Sequence, residues 1–367
     1  MPNSASKAPL ADRSGEGGHA PLVWAFVPLG ADGWQVPEDS YDSAQYKAEL
    51  ALAFQRLGLP WIWQPVRHGT VDQTVAQALE SSRRHEVVVF NFCDGTDDPS
   101  DTPGLSVVHA LERAGLRFTG ADSGFYRIST SKVLMKSLLQ EAGVATAPFA
   151  VVPNSGPVDG IGDGLAWPLF CKPDVSAGSY GISLRSVVHS SEELHACREG
   201  LKTGPFAQLF AESTFLAEQF IDGPEFTVFV GGHWDRPETI WSLVPAQRVF
   251  HGSIPPGERF LSFDRYLEIY EEESPPPGGE KFFWYERCPP EVEAALCDLA
   301  TRAYRAVRGR SYGRVDIRQD ARTGRFYVLE VNANCGLSGS EGSSMGNILR
   351  LAGLDFAGLM GRIIEDA

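Results

Sequence analysis

Residues 313–336 read Gly-Arg-Val-Asp-Ile-Arg-Gln-Asp-Ala-Arg-Thr-Gly-Arg-Phe-Tyr-Val-Leu-Glu-Val-Asn-Ala-Asn-Cys-Gly, and they constrain the fold more than any other segment. Two β-type runs, Arg314–Gln319 and Phe326–Val331, flank a turn-like stretch with Thr323-Gly324, which predicts a β-hairpin. The alternation of Val315 and Ile317, with Val328 and Val331 on the other run, predicts one face packed on a core. Side chains two apart on a strand share a face, so Glu330 and Asn332 point the same way. Any register opposing Asp316 to an even-numbered residue adds its carboxylate to that face. Two carboxylates and an amide oxygen at the end of a strand pair form a hard donor set suited to Mg²⁺, which keeps several waters and bridges phosphates.

The 367 residues are too many for one small core and fit two or three domains. A formal charge of −15 argues against nucleic acid as a partner, because binding a phosphate backbone needs clustered Lys and Arg. It does not forbid a nucleotide, for which a pocket with two or three cations is enough. The cysteines at 93, 171, 197, 288, 297 and 335 form no zinc or Cys-x-x-Cys spacing and read as reduced thiols, which points to the cytoplasm. No apolar stretch is long enough to span a membrane. The first twenty residues, rich in Ser, Gly, Ala and charge, read as a flexible leader.

Strand and helix patterns alternate from Leu22 to Ala114, which predicts a parallel sheet covered on both faces. The strands fit Leu22–Pro28, Trp61–Gln64 and Glu86–Phe92; the helices fit Ser43–Leu57, Val71–Ser82 and Leu105–Ala114. A loop with Gly30 and Gly33 follows the first strand, without a dinucleotide fingerprint. A second unit opens near Phe125 with a helix over Thr130–Ala142. Strands Pro148–Val152 and Leu169–Lys172 follow, then a helix near Ser191–Arg198. A third opens with strands Phe215–Ile221, Glu225–Val230 and Thr239–Val244. Residues 248–288 are rich in Pro, Gly and charge. A helix over Pro290–Val307 precedes the hairpin, and two short helices, near Met345–Leu351 and Phe356–Ile364, close the chain. The domain limits expected are 1–20 for the leader, 21–126, 127–214 and 215–367.

Lys172 ends an apolar run of Leu169, Phe170 and Cys171, where a lysine must reach a partner or carry a heavy desolvation cost. A triphosphate is a suitable one. The small-residue loop Ser176–Gly181 lies just beyond, and its backbone amides can converge on phosphate oxygens. Glu218 sits inside an apolar strand, where its carboxylate and the Gln219–Ile221 backbone could bond an adenine or ribose edge. Glu225 restarts the chain after the Asp222-Gly223-Pro224 turn and could face the same pocket.

Taken together these segments resemble the ATP-grasp superfamily, and within it the D-alanine–D-alanine ligase group. The likeness runs from about Val87 to the C-terminus. It rests on Gly313-Arg-Val-Asp316, Glu330-Val-Asn332, Glu218-Gln-Phe-Ile-Asp-Gly-Pro-Glu225, and Phe118-Thr-Gly120 followed by Lys132. The resemblance implies a three-domain fold. Its N-terminal domain is α/β with a parallel sheet. Its ATP-binding half is α+β, with ATP held between two antiparallel sheets. It implies that Lys132 and Lys172 contact ATP phosphates, that Glu218, Gln219, Phe220 and Ile221 lie on the adenine side, and that Glu225 binds the ribose. Asp316, Glu330 and Asn332 would ligate Mg²⁺, with Mn²⁺ able to substitute. Ser176, Gly178 and Ser179 would close over the γ-phosphate. Arg314, Lys172 and Ser179 are the implied catalytic set, and Arg265-Tyr266 falls where similar ligases carry a basic–tyrosine pair in a lid. The family habit is a homodimer, although no periodic interface signal supports one.

Both amino-acid ends depart from the group's pattern. The Gly-Gly-x-Ser-x-Glu segment is replaced by Pro28-Leu-Gly-Ala-Asp-Gly33, and the Pro-Gly step after the hairpin by Asn334-Cys-Gly336 and a Gly/Ser loop. The expectation is therefore an ATP-dependent ligase of specialised metabolism. It would join a carboxylate to an amine or amino acid through an acyl phosphate, releasing ADP and phosphate. Gly336 and Glu341 are placed at the substrate, Glu341 either holding a substrate ammonium or standing as a solvated loop charge. A cell-wall D-alanine ligase is disfavoured on this reading. A small-molecule kinase and a non-catalytic nucleotide-binding module remain as other classes.

Overall fold

The computed structural model describes residues 20–30, 41–98, 101–176, 178–204, 207–267 and 273–367. Residues 1–19 of the leader and Ala31, Asp32 and Gly33 of the first loop lie outside the described residues.

The chain builds three sheets. The first is a parallel sheet ordered β2-β1-β3, from β1 (Leu22–Pro28), β2 (Trp61–Val66) and β3 (Val87–Asn91). Helices α1 (Ala44–Leu57), α2 (Val71–Ser81) and α3 (Leu105–Ala114) connect and cover it. β1 is apolar on both faces because both are covered: Val23, Ala25 and Val27 join one core cluster, Trp24 and Phe26 another. Ser43 caps α1 by accepting from the Tyr46 amide, and Gly58 and Gly115 end α1 and α3 in the left-handed region that glycine adopts freely.

Two helices lead to the second sheet. α4 (Ser123–Thr130) is one the sequence reading missed, and α5 (Lys132–Glu141) starts two residues later than expected. Ser131 separates them because its extended backbone breaks the helix while its side chain caps the next. The second sheet is antiparallel, ordered β4-β7-β5-β6, from β4 (Phe149–Val152), β5 (Leu169–Pro173), β6 (Val187–Val188) and β7 (Phe215–Gln219). Helices α6 (Ser191–Thr203) and α7 (Ala207–Phe210) accompany it.

The third sheet carries the hairpin and is ordered β11-β10-β8-β12-β13, with β9 paired to β8. Its strands are β8 (Glu225–His233), β9 (Arg236–Ser242), β10 (Ala246–Phe250), β11 (Phe283–Arg287), β12 (Arg310–Gln319) and β13 (Phe326–Ala333). β10 and β11 fall in the stretch read from sequence only as Pro-, Gly- and charge-rich. Cross-strand pairing holds them despite weak local patterning. A short helix α8 (Phe263–Leu267) lies between them, and α9 (Pro290–Ala306) follows. Val315, Ile317, Val328 and Val331 pack on Leu296, Leu299, Ala300 and Ala303 of α9 and on Met135 of α5, which leaves the other hairpin face open to a cleft. Helices α10 (Ser344–Ala352) and α11 (Phe356–Glu365) return to the first domain, α11 packing on α1. Among the described residues no helix is long and apolar enough to cross a membrane. All six cysteines are free.

The turn between the second and third sheets is tight. Gly223 has φ +148°, and a Cβ there would lie 2.0 Å from the Gln319 carbonyl oxygen. Gly223→Ala should lower stability by about 3 kcal/mol, read as a shift of the urea midpoint. An unchanged midpoint would show that the β8–β12 edge yields.

Candidate active site

The cleft between the second and third sheets holds a cavity of about 350 Å³. Two local arrangements build its phosphate-side wall. The Asp174 carboxylate sits at the N-terminus of α5, where anions are favoured: it accepts from the Val133 amide at 2.8 Å and from Ser131 Oγ at 3.1 Å, and the Asp174 carbonyl accepts from the Lys132 amide. The start of α5 is thereby stapled to the chain just past β5, so Lys132 and Lys172 enter the same cavity. Lys132 Nζ donates to the Ser176 carbonyl at 2.9 Å and to Ser176 Oγ at 3.0 Å.

The second arrangement is a buried ionic trio. Phe170 pairs with Glu218 across β5 and β7, which places Lys172 diagonally next to Glu218. Glu218 meets Lys172 Nζ at 2.5 Å and Lys136 Nζ at 2.6 Å. Lys136 is fully buried and also donates to Thr146 Oγ1 at 2.7 Å. Burial alone would raise the Glu218 carboxyl, but the two ammonium groups outweigh it and hold it down at about 2. Burial lowers Lys132 to about 8; Glu330 opposes that shift and Lys172 adds to it. The sequence reading missed Lys136. Its signal was present, since position 136 follows Lys132 by one helical turn inside an otherwise apolar face.

The opposite wall follows from register. Asp316 lies directly across from Glu330, and Arg314 from Asn332, with a bulge after Asp316. Arg314 Nε and Nη2 donate to the Asp316 carboxylate at 3.1 and 3.0 Å, and Asn332 Nδ2 donates to it at 2.9 Å. Asn332 Nδ2 stands 3.5 Å from Glu330 Oε1. The three expected metal-ligand candidates are thus brought together on one face, beside Arg314. Burial would raise Asp316, but Arg314 keeps it ionised and below the usual carboxylate range. The donor set, two carboxylates and an amide oxygen facing a cavity with buried lysines, fits a hard divalent cation.

Register also explains Glu225. It opposes Arg318 on β12 and Arg248 on β10, so its carboxylate is clasped from both sides: Arg318 Nε and Nη2 donate at 3.0 and 2.9 Å, and Arg248 Nη1 donates to the other oxygen. Arg248 and Arg318 were not foreseen, although Arg318 continues the alternation of Arg314 and Asp316. At the far end of the cavity Phe170 and Phe220 stack at 6.1 Å, with Phe260 edge-on to Phe170.

Some expected residues sit elsewhere or do other work. The Glu218 carboxylate is engaged by lysines, so it is not offered to a nucleobase edge, whereas Gln219, Phe220 and Ile221 line the cavity. Gly178 and Ser179 line it as well. Ser179 has φ +58° and donates to the Leu261 carbonyl, which pins this loop to the segment before α8. Tyr266 lines the cavity, but Arg265 does not. Arg265 is buried, ion-paired to Glu273 at 2.6 Å, and donates from Nη1 to the carbonyls of Glu258 and Phe260, because a guanidinium withdrawn from water needs a counter-charge and acceptors. Gly336 backs onto the Tyr41 hydroxyl and is outside the lining set. Glu341 is exposed on a turn away from the cavity, where its carbonyl accepts from Asn347 Nδ2. The ammonium role expected of it is not supported by its position. Asp94, Asn334 and Cys335, which no sequence signal singled out, do line the cavity.

A model of the family described as D-ala D-ala ligase C-terminus matches residues 138–365. The chain belongs to the D-alanine–D-alanine ligase family. It is 30% identical over 264 residues to a D-alanine–D-alanine ligase of Chromohalobacter salexigens, covering 71% of this chain and 72% of that protein. To the D-alanine–D-alanine ligase of Marinobacter nauticus it is 30% identical over 257 residues, covering 70% and 68%. Among solved structures, the D-alanine–D-alanine ligase from Bacillus anthracis complexed with ATP superposes with a TM-score of 0.63 at 18% identity, covering 95% of this chain and 97% of that one. The VanG D-Ala:D-Ser ligase from Enterococcus faecalis gives 0.66 at 16% identity, covering 95% and 99%. These likenesses establish the three-domain ATP-grasp fold. With family membership, the protein is an ATP-dependent ligase that forms a carbon–nitrogen bond.

Glu218→Gln would leave two buried ammonium groups without a counter-charge. We expect a stability loss of about 3–5 kcal/mol in denaturant titration, and a smaller loss for the double variant Glu218→Gln, Lys136→Met. A double-variant loss equal to the sum of the Glu218→Gln and Lys136→Met losses would mean that the two residues are not coupled.

Proposed function

We propose that the enzyme couples two amino acids, with D-alanine the first candidate on both sides. The carboxylate of one attacks the γ-phosphate of ATP, giving an acyl phosphate and ADP, and the amine of the second displaces phosphate. The relatives of known activity at about 30% identity support this reading over the specialised ligase suggested by the altered loops. The observation that carries it is the shared cavity. Arg314 and the Asp316–Glu330–Asn332 set on one wall face Lys132 and Lys172 on the other.

In this reading Lys132 and Lys172 hold the phosphates, and the aromatic slot of Phe170 and Phe220 takes the base. Asp316, Glu330 and Asn332 would hold Mg²⁺, which when bound offsets charge on the transferring phosphoryl group. Arg314, whose planar fork matches an oxygen pair, steadies the acyl oxygens. The loop at 178–182, already tied to Leu261 and Phe263, excludes water from the acyl phosphate. A different amine partner is a second reading, and one observation favours it. The 335–344 loop is built on Glu49, which accepts from Ser338 Oγ and the Gly339 amide, where the family has a Pro-Gly step.

The test is ADP release with Mg²⁺-ATP across pairs of D- and L-amino acids, with products read by mass spectrometry. D-Alanyl-D-alanine is expected, and its absence alongside another dipeptide would shift the reading to the second. Glu330→Gln should lower ADP release at least ~10³-fold with the thermal transition retained. Near-normal turnover would remove the metal assignment.

Lys132 supplies a pH signature. Its folded pKa of about 8 means that it is charged below that pH and neutral above it. ATP contact needs the charged form, so the KM for ATP should rise as pH climbs through 8, by up to ~tenfold per unit. Lys132→Arg should flatten the profile. A KM that stays constant from neutral pH to well above 8 would exclude Lys132 from the phosphates.

A further inference from the structure

Four side chains cross the third sheet in one row. Register sets Glu225 on β8 opposite Arg318 on β12 and Arg248 on β10, and sets Arg248 opposite Tyr285 on β11. Directly opposed side chains share a face, so the row Arg318–Glu225–Arg248–Tyr285 runs along one side of the sheet. The first three line the cavity, and Tyr285 stands behind them. The row begins beside the aromatic slot, where the Arg318 guanidinium lies 5.2 Å from the centre of the Phe220 ring. A base held in that slot has its sugar one bond away, within reach of this row. Glu225 can receive it. Its Oε2 accepts twice from Arg318 and its Oε1 once, from Arg248, which leaves Oε1 a lone pair for a hydroxyl donor.

Tyr285 is buried in the same apolar core as Met345, Ile348 and Leu349, a setting that suits a phenylalanine ring equally well. What the hydroxyl adds is three polar contacts. It accepts from Arg248 Nε at 3.3 Å and from Arg248 Nη2 at 2.8 Å, and it stands 3.0 Å from Oγ of Ser344, the first residue of α10. With both lone pairs taken by the guanidinium, its own proton goes to Ser344 Oγ, which fixes the direction of the hydroxyl. The Phe283 and Tyr285 rings flank the same guanidinium at 5.3 and 5.4 Å. Held in this way, Arg248 keeps Nη1 on Glu225 Oε1. We propose that Tyr285 is a positioning residue for the nucleotide: its hydroxyl holds Arg248, and through Arg248 the Glu225 oxygen that accepts from a hydroxyl of the nucleotide's sugar. Without that hydroxyl, Nε and Nη2 lose their acceptor, the guanidinium turns toward water in the cleft, and Oε1 loses its fixed place. The assignment rests on the nucleotide reading above.

The test is calorimetric titration of the full chain, with Mg²⁺ and without amino acids, against ATP and against 2′,3′-dideoxy-ATP, which keeps the base and phosphates but has neither sugar hydroxyl. Wild type should bind ATP about tenfold more tightly, the size of effect expected for a hydrogen bond to a charged acceptor. Tyr285→Phe should cut that preference to about threefold or less by weakening ATP, with the Kd for the dideoxy nucleotide within about twofold of wild type. Ser344→Ala, which leaves the tyrosine in place, should lower the preference by a smaller factor. A purely structural role would weaken both nucleotides alike, so an unchanged ratio in Tyr285→Phe overturns the assignment. Should that variant not fold, an unchanged ratio in Ser344→Ala overturns it. A wild type that binds both nucleotides equally overturns the assignment alone, whereas a wild type that binds neither overturns the nucleotide reading and the assignment with it.

Discussion

The registry of three adjacent antiparallel strands is the constraint on which the rest depends. Because β8, β12 and β13 pair as they do, Glu225 meets Arg318, Thr227 meets Asp316, and Asp316 meets Glu330. A slip of one residue would turn Asp316 and Arg314 into the α9 core and push Val315 and Ile317 into the cleft. The apolar face that fixes the register is therefore also what assembles the polar one. Packing energy of about 1.5–3 kcal/mol per buried aliphatic side chain holds the alignment.

Charge balance is the second theme. Ionised groups largely withdrawn from water line the cleft in small sets of opposite surplus: one spare positive charge around Glu218 and around Glu225, and one spare negative charge where Arg314 meets Asp316 beside Glu330. Glu218 has two lysines and Glu225 has two arginines. Such surplus is costly in the empty protein and is relieved by a polyanion, so the wall that would receive phosphates is held in readiness at the expense of stability. Single removals from these sets leave an uncompensated charge, which is why the carboxylates matter as much as the cations.

Much of the fold was legible because its periodicities are clean. β1 and α3 fall where the patterns put them, and the hairpin was readable from the alternation of Val315 and Ile317 with charged neighbours. β10 and β11 were not, since their pairing comes from neighbours distant in sequence and not from local preference. At the site, the residues near one another in sequence were readable: Arg314 with Asp316, and Glu330 with Asn332. Contacts that depend on chain crossing were not. Nothing in the sequence around Glu218 announces that Lys136 will reach it, and nothing around Arg265 announces that Glu273 will draw it inward. For Glu341 the sequence left two readings open, because a loop's composition does not fix where its side chains point.

Cys335 lines the cleft, and burial pushes its thiol up to about 12 against the pull of Arg314. At neutral pH such a group stays a thiol. An acyl phosphate is a strong electrophile, and a nearby thiolate would intercept it as a dead-end thioester. In the acyl-phosphate reading proposed above, keeping sulfur in its unreactive form would reserve the activated acid for nitrogen.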